Sequence, residues 1–174
     1  MGFEFYNKTS DTVEVKRFDG VIQKWEIILE LPFDSTRKRM SVIVKRKDIE
    51  NSCYFVFCKG ADTAILNIID NDSDSKNIIA SNFIFINLSK FIYLENLTKF
   101  AEKGLRTLCM AKRKISAEEV QNLLSEIKNI NINIGKNKKE EIMKLYSKIE
   151  RGLSFVGASA VEDKLQEVKN IILL

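Results

Sequence analysis

The segment FDSTRKRMSVIVK, Phe33 to Lys45, indicates both a fold and a site. An aromatic residue opens it, the basic residues Arg37, Lys38 and Arg39 follow, and Met40 to Val44 has the composition of a β-strand. This order predicts an aromatic ring at the end of a strand pair with cations close by. A purine base can stack on such a ring while its phosphates meet the positive charge. The same residues also fit a core phenylalanine and a solvated basic turn.

Strand patterns surround this segment on both sides. Residues Asp11 to Arg17 alternate valines with charged residues, and the strand after the Asp19-Gly20 turn is predicted to place Trp25, Ile27, Leu29 and Leu31 on one face. Because proline lacks an N–H, this strand should end or bulge at Pro32, which leaves Phe33 at a strand end facing a cleft.

A second predicted hairpin follows. The apolar run Cys53 to Cys58 suits a central strand, and it leads into Lys59, Gly60 and Ala61 before a helix predicted over Thr63 to Ile69. Gly60 permits close approach of the backbone, and Asp62 is a candidate N-cap. This geometry places one ammonium and several free N–H groups at a single rim, although Lys59 also fits a solvated strand end.

The second half of the chain alternates helices with strands. The predicted elements are a surface loop over Asn71 to Lys90, a helix over Phe91 to Lys103 ended by Gly104, a strand over Arg106 to Arg113, a helix that begins with a Ser116/Glu119 capping box, a helix over Lys138 to Arg151, and a strand over Leu153 to Ala158. Together these elements predict an α/β fold class with a mainly antiparallel β-sheet flanked by helices.

The composition narrows the functional class. The 174 residues fit one domain, 45% are hydrophobic and 30% charged, and the net charge of +4 is too mild for a dedicated nucleic-acid binder. The sequence contains no histidine, which excludes histidine-dependent catalysis and metal binding, and its three cysteines are expected to be reduced. The apolar runs are shorter than the roughly 20 residues of a membrane helix, and no signal peptide is predicted.

Four segments, in order, resemble a known family. The segments FDSTRKRMSVIVK, CKGADTAI, LTKFAEKGLRTLCMAKR and LSFVGASAVEDKLQE are similar to the nucleotide-binding (N) domain of P-type ATPases. A hydroxyl residue after KGAD, the GLRTLCMA sequence and the EDKLQ ending resemble the phospholipid flippase branch, because ion pumps more often have proline after KGA. The resemblance therefore implies the P-type ATPase nucleotide-binding domain fold.

The resemblance implies roles for individual residues. Phe33 matches the aromatic residue that stacks on adenine, Lys59 matches the lysine of the KGA motif in the same pocket, and Arg106 matches the arginine that reaches toward the phosphates. Gly60 and Ala61 would form the pocket wall. The positions near the nucleotide also include Ser35, Lys38 and Met40. No catalytic residue and no metal site are implied within this chain.

The resemblance also implies a larger protein. Residues 1–160 would be the nucleotide-binding domain, truncated at its N-terminal side, and residues 161–174 the start of a hinge toward a missing phosphorylation domain. The implied function is to position ATP, with Mg²⁺ carried by the nucleotide, for phosphorylation of an aspartate in another domain of a phospholipid-translocating, ATP-hydrolysing enzyme. Since no DKTGT motif is present, the fragment alone should be inactive.

The implied partners are ATP, the phosphorylation and actuator domains of the same parent chain, and a small accessory membrane subunit, without nucleic acid. The implied location is a cytoplasmic domain of an integral membrane protein. Two alternatives remain at this point. One is the N domain of a cation-transporting P-type ATPase. The other is a non-catalytic module that binds RNA or acidic proteins through Arg37 to Arg39 with Lys136, Lys138 and Lys139.

Overall fold

The computed structural model describes residues 2–49, 53–70, 95–132 and 137–162. Its strands are β1 (Phe3–Lys8), β2 (Thr12–Arg17), β3 (Ile22–Asp34), β4 (Arg39–Arg46), β5 (Tyr54–Gly60), β6 (Arg106–Ile115) and β7 (Ser154–Val161). Its helices are α1 (Asp62–Asp70), α2 (residues 95–102), α3 (Ala117–Ile132) and α4 (Lys138–Ile149). The predicted loop Asn71 to Lys90, and the start of the helix predicted from Phe91, lie outside the described residues.

The seven strands form one sheet in the order of the sequence, and each strand pairs antiparallel with the next. This topology confirms the predicted antiparallel sheet flanked by helices. One face of the sheet holds the hydrophobic core, where Ile43, Val56 and Cys109 are fully buried. The helices contribute Ile65, Leu123 and Ile149 to the same cluster, and partly buried side chains of α1, α3 and α4 pack against it.

A β-bulge in the middle of β3 changes which side chains face the core. Ile27 pairs with Val44 but Leu29 pairs with Ile43, so β3 has one extra residue at this point. Leu29 therefore lies on the core face with Ile43, whereas Ile27 lies on the opposite face with Val44. The prediction that Trp25, Ile27, Leu29 and Leu31 share one face is wrong, because the bulge interrupts the alternation of period two.

A second bulge surrounds Pro32, as the sequence predicted. Leu31 pairs with Ser41 and the next pair is Asp34 with Arg39, so β3 again has one residue more than β4. Strand β2 pairs with β3 only as far as Glu26. Pro32 therefore lies beyond the end of β2, where a backbone N–H is not needed for pairing with that strand. The strand continues to Asp34, and Phe33 lies near its end.

The helix ends follow the predicted signals. Gly104 has φ +68, and the N–H groups of Gly104 and Leu105 donate to the carbonyls of Ala101 and Phe100, which closes α2. Ser116 Oγ accepts a hydrogen bond from the Glu119 N–H at 3.1 Å, so the hydroxyl caps α3. The Glu119 carboxylate turns to Arg113 instead of completing the capping box. Within the described ranges, no helix is both long and apolar enough to cross a membrane.

Candidate functional site

The face of the sheet opposite the core, here the outer face, carries a row of three long side chains. Met40 of β4 pairs with Lys59 of β5, and Lys59 pairs with Met110 of β6. Directly paired residues of antiparallel strands lie on the same face with Cα atoms about 4.5–5.5 Å apart. Met40 is 36% exposed and Met110 is 37% exposed. The row is therefore an accessible apolar surface with one ammonium group at its centre.

Phe33 lies beside this row. It is one position from Asp34, which pairs with Arg39, and Met40 is one position from Arg39, so Phe33 and Met40 point to the same side of the sheet. The Phe33 side chain is 64% exposed. The ring thus lies outside the core at a strand end, where the sequence predicted it, and its face is accessible for stacking.

The turn between β3 and β4 holds Lys38 in an unusual conformation. Lys38 has φ +52, in the left-handed region that few residues with a side chain adopt. Its N–H donates to the Asp34 carbonyl at 2.7 Å, and its carbonyl accepts from the Ala61 N–H at 3.0 Å. The backbone of Lys38 is therefore fixed at both ends, next to the start of α1, and its side chain is exposed.

Asp34 organises the same turn. Its Oδ1 accepts hydrogen bonds from the N–H groups of Thr36 and Arg37, both at 2.9 Å. The Arg37 N–H bond is the main cause that holds the pKa of the Asp34 carboxyl below its usual value. The carboxylate is therefore stabilised in its charged form by the turn that it closes, and Ser35 lies exposed in the middle of that turn.

Gly60 is needed by the protein itself. A Cβ added at Gly60 would lie 2.5 Å from Arg39 Cβ and 2.6 Å from the Lys38 carbonyl oxygen. Gly60 pairs with Arg39 and Cys109 on the core side of the sheet, so its missing side chain admits the β3–β4 turn. Ala61 follows at the rim, half-buried, with its N–H bonded to Lys38. The backbone that approaches Gly60 closely, as predicted, is therefore that of the β3–β4 turn.

Arg106 begins β6 at the same end of the sheet as Lys38 and Ala61. It is exposed and lies four residues before Met110, so both residues are on the outer face. At about 3.4 Å per residue, their Cα atoms are about 14 Å apart along the strand. The next residue, Thr107, donates from Oγ1 to Asp62 Oδ2 at 3.4 Å, which ties this end of β6 to the start of α1. Lys38 and Arg106 therefore lie at the same end of the sheet, and Lys59 lies in the row on the outer face.

Arg37 and Arg39 do not contribute to an exposed basic patch. Arg37 is 8% exposed, and both guanidinium groups form ion pairs with the buried carboxylate of Glu150. Of the basic triplet, Lys38 alone is exposed. The alternative of a basic binding module depended on this triplet and on lysines of which Lys136 lies outside the described residues. Two of the three residues of that triplet, Arg37 and Arg39, belong to a buried ion-pair cluster and are not available to RNA or an acidic protein.

Sequence reasoning missed two features of this surface. Met110 completes the row with Lys59, and the spacing Arg106, Leu108, Met110 could have indicated it, because alternate residues of a strand share a face. The second feature is an aromatic cluster on the same face. The ring of Trp25 lies 5.8 Å from that of Phe55 and 6.0 Å from that of Phe57.

The two buried cysteines, Cys58 and Cys109, are unsuited to thiol chemistry. Burial raises the pKa of the Cys58 thiol and raises that of Cys109 to about 11. Both thiols therefore stay protonated at neutral pH, and thiolates are the reactive and metal-binding form. No group of three or more metal-ligating side chains was found in the part of the chain that the structure describes.

An antiparallel sheet with an exposed ring beside a lysine, and with further cations at one rim, has the chemistry of a nucleotide-binding domain. The chain belongs to the P-type ATPase family as its cytoplasmic domain N, since the model of that domain matches residues 7–168. This match agrees with the resemblance found in the four sequence segments.

Named relatives indicate the branch of the family. The chain is 35% identical to the phospholipid-transporting ATPase dnf2 of Schizosaccharomyces pombe over 96% of its own length and 11% of the relative. It is 33% identical to the probable phospholipid-transporting ATPase IM of Homo sapiens over 95% of its length and 12% of the relative. With the human phospholipid-transporting ATPase IH the identity is 30%, over 96% of the chain and 13% of the relative. The chain thus spans about an eighth of these proteins.

Proposed function

We propose that this chain is the ATP-binding domain of a phospholipid-translocating P-type ATPase and that its sheet has the N-domain fold of that family. The observation that supports the proposal most is the exposed ring of Phe33 beside the Met40, Lys59 and Met110 row. The names of the relatives favour lipid over ion as the cargo of the parent protein.

The base binds on the outer face in this proposal. The adenine ring stacks on Phe33, and the methionine side chains of Met40 and Met110 give it apolar contact on either side of Lys59. The Lys59 ammonium donates to the ring nitrogens or the ribose, while Ala61 lines the rim. Gly60 acts indirectly, because it lets the β3–β4 turn approach β5.

The phosphates extend toward the rim. Arg106 lies about 14 Å along β6 from Met110, in the direction of α1, and Lys38 leaves its turn at the same end of the sheet. An extended nucleotide with its base on the row directs its phosphate tail toward these two cations. Ser35, in the turn that contains Lys38, offers a hydroxyl to the same tail. Charge-assisted hydrogen bonds of this kind hold phosphates strongly.

The contribution to catalysis is positioning. The domain holds ATP, with the Mg²⁺ that the nucleotide brings, so that the γ-phosphate reaches an aspartate of the phosphorylation domain in line. Residues 1–160 form the nucleotide-binding part and residues 161–174 lead toward that domain. The partners of the parent chain are its phosphorylation and actuator domains and a small accessory membrane subunit, and the domain lies on the cytoplasmic side of a membrane. Alone, without the aspartate, the chain hydrolyses no ATP.

The proposal is tested by calorimetric titration of the chain with Mg-ATP, with GTP and with inorganic triphosphate. A site with one aromatic ring for stacking should bind ATP weakly. We expect a dissociation constant near millimolar, which corresponds to a binding free energy of about 4 kcal/mol. ATP should bind more tightly than triphosphate, because triphosphate has no base to stack on Phe33. Equal affinity for all three ligands, with steep salt dependence, would instead indicate a non-specific polyanion surface.

A further inference from the structure

Glu150 lies at the far side of the turn that presents Phe33 and Lys38. It is the residue directly after α4, its N–H donates to the Tyr146 carbonyl at 3.0 Å, and it is 1% exposed. A carboxylate buried this deeply is costly unless it is paired and hydrogen-bonded. Its partners therefore identify what it does.

Both carboxylate oxygens of Glu150 bind the β3–β4 region. Oε1 accepts hydrogen bonds from Arg37 Nη1 at 2.5 Å and from Ser41 Oγ at 2.6 Å. Oε2 accepts a hydrogen bond from Arg39 Nε at 2.7 Å. The two arginines flank Lys38 in the sequence. One carboxylate thus pulls the residues on both sides of Lys38 toward the core.

Arg37 extends this hold to the residue before Phe33. Its Nη2 donates to the Pro32 carbonyl at 2.7 Å, and its guanidinium lies 4.9 Å from the centre of the Tyr146 ring of α4. Arg37 Nε has no hydrogen-bond partner among the described residues, so the group depends strongly on Glu150 for compensation of its charge. The bulge that carries Phe33 and the turn that carries Lys38 are therefore supported by the same guanidinium.

The end of α4, which carries Glu150, is itself hydrogen-bonded to the sheet. Arg113 of β6 donates to the Ile149 carbonyl, from Nε at 3.3 Å and from Nη2 at 3.2 Å. Its Nη2 also bonds Glu119 Oε1 at 2.7 Å, so the guanidinium is held by α3. The end of α4 is thereby fixed to the sheet immediately before Glu150. A carboxylate on a fixed helix end can set the position of a turn.

We propose that Glu150 is a positioning residue of the nucleotide site: from the core side, through Arg37 and Arg39, it sets the β3–β4 turn that carries Lys38 and the end of β3 that carries Phe33. This inference rests on the proposed function, because it assigns Glu150 an effect on ATP affinity. Glu150 does not touch the ligand. Its removal leaves two poorly solvated guanidinium groups without an anion, which drives the turn away from its position.

The test compares Glu150→Gln with Glu126→Gln in the same chain. Glu126 is the control, since it also forms an ion pair, but its partner is Lys148 of α4, with Nζ at 2.5 Å, instead of the two arginines beside Lys38. Two readouts are measured: the dissociation constant for Mg-ATP, and hydrogen exchange of the Lys38 and Ala61 amides, whose hydrogen bonds fix the turn. Amides of β5 and β6 in the same spectra report whether the sheet is intact.

With the sheet intact, Glu150→Gln should weaken ATP binding on the order of tenfold and speed exchange at Lys38 and Ala61, whereas Glu126→Gln should change neither. A wild-type dissociation constant in folded Glu150→Gln would overturn the inference and leave the proposed function standing. If the wild-type chain itself does not bind ATP, the proposed function fails first.

A milder variant keeps the test decisive if Glu150→Gln does not fold. Arg39→Lys retains the positive charge but removes the Nε–H that bonds Glu150 Oε2. It should weaken ATP binding about threefold and speed exchange of the same two amides. Unchanged affinity and exchange in this variant would overturn the inference.

Discussion

Arg37 Nη1 lies 2.5 Å from Glu150 Oε1, although the two residues are 113 positions apart in the sequence. Both side chains are almost fully buried, at 7% and 0% relative exposure. This pair divides the basic triplet into two inward arginines and one outward lysine. Of this triplet, Lys38 alone is exposed to a ligand, and the residues on both sides of it bind a carboxylate at the end of α4.

Replacing Phe33 with alanine should reduce ATP affinity without unfolding the chain. The ring is 64% exposed, so the free energy of unfolding should change by less than about 0.5 kcal/mol. Loss of base stacking costs about 1–3 kcal/mol, which raises the dissociation constant roughly fivefold to more than a hundredfold. Calorimetry gives the affinity and urea denaturation gives the stability.

Phe18→Ala is the matched control for this substitution. Phe18 is 78% exposed in the turn between β2 and β3, away from the row of Met40, Lys59 and Met110. Its removal should leave ATP affinity unchanged. An equal loss of affinity in both variants, or in neither, would show that Phe33 is not the stacking residue.

Lys59→Ala should weaken ATP binding about fivefold at low salt. A unit charge about 4 Å from a phosphate or a polarised ring atom is worth about 1 kcal/mol in water. Lys114→Ala is the comparison, because Lys114 pairs with Phe55 on the same face of β6 and lies four residues from Met110. Titrations at two salt concentrations measure both variants, and the effect of Lys59 should shrink at high salt. A larger loss of affinity in Lys114→Ala than in Lys59→Ala would contradict the proposed position of the base and would indicate a site nearer to Lys114.

Gly60→Ala should destabilise the chain by about 1–3 kcal/mol, because the new Cβ meets Arg39 and the Lys38 carbonyl oxygen at about 2.5 Å. Gly157→Ala is the control. Gly157 pairs with Met110, and a Cβ there meets nothing within 4 Å. Urea denaturation should show a loss for Gly60→Ala and no loss for Gly157→Ala. Equal stability of the two variants would contradict the close packing of the turn against β5.

The β3–β4 turn should loosen in acid. The pKa of Asp34 lies below its usual value, chiefly because the Arg37 N–H donates to the carboxylate. A carboxyl whose pKa is lower in the folded chain stabilises it fully above the unfolded pKa of about 3.9, and this contribution is lost as the pH falls through the folded pKa. An NMR titration of the Thr36 and Arg37 amides should give a midpoint below the usual pKa of an aspartate.

Asp34→Asn provides the internal reference for this titration, since the amide oxygen still accepts hydrogen bonds but does not ionise. The acid transition of the two amides should disappear in this variant. A transition that persists would belong to another carboxyl group, and a wild-type midpoint at or above the usual value would contradict the hydrogen-bonded turn.

Local patterns predicted most of the secondary structure. The alternation of Val13 and Val15, the Ser116 cap and the Gly104 stop each depend on neighbours within a few residues, and the structure confirms each of them. The bulge between Ile27 and Leu29 was not predictable in this way. All residues from Trp25 to Leu31 except the two glutamates are apolar, so the sequence gives no sign of where the alternation breaks.

The residues of the candidate site that depend on one sequence segment could be predicted. The contacts between residues of different segments could not be predicted in the same way. The irregularity predicted at Pro32 located Phe33 near the end of β3, and the exposure of its ring agrees. The spacing from Arg106 indicates the face of Met110, but the pairing of Met110 with Lys59, and that of Glu150 with Arg37 and Arg39, joins residues that are distant in sequence. Pairing over such distances depends on the register of strands and the packing of helices, which residue spacing does not contain.

We propose that ATP binds on the outer face between Phe33 and Arg106. Backbone NMR of the wild-type chain titrated with Mg-ATP measures it most directly. The largest shifts are predicted at residues 33–40, 59–61 and 106–110, with little change in α3 and α4. Shifts confined to other surfaces, or no saturable shift at several millimolar ATP, would contradict it.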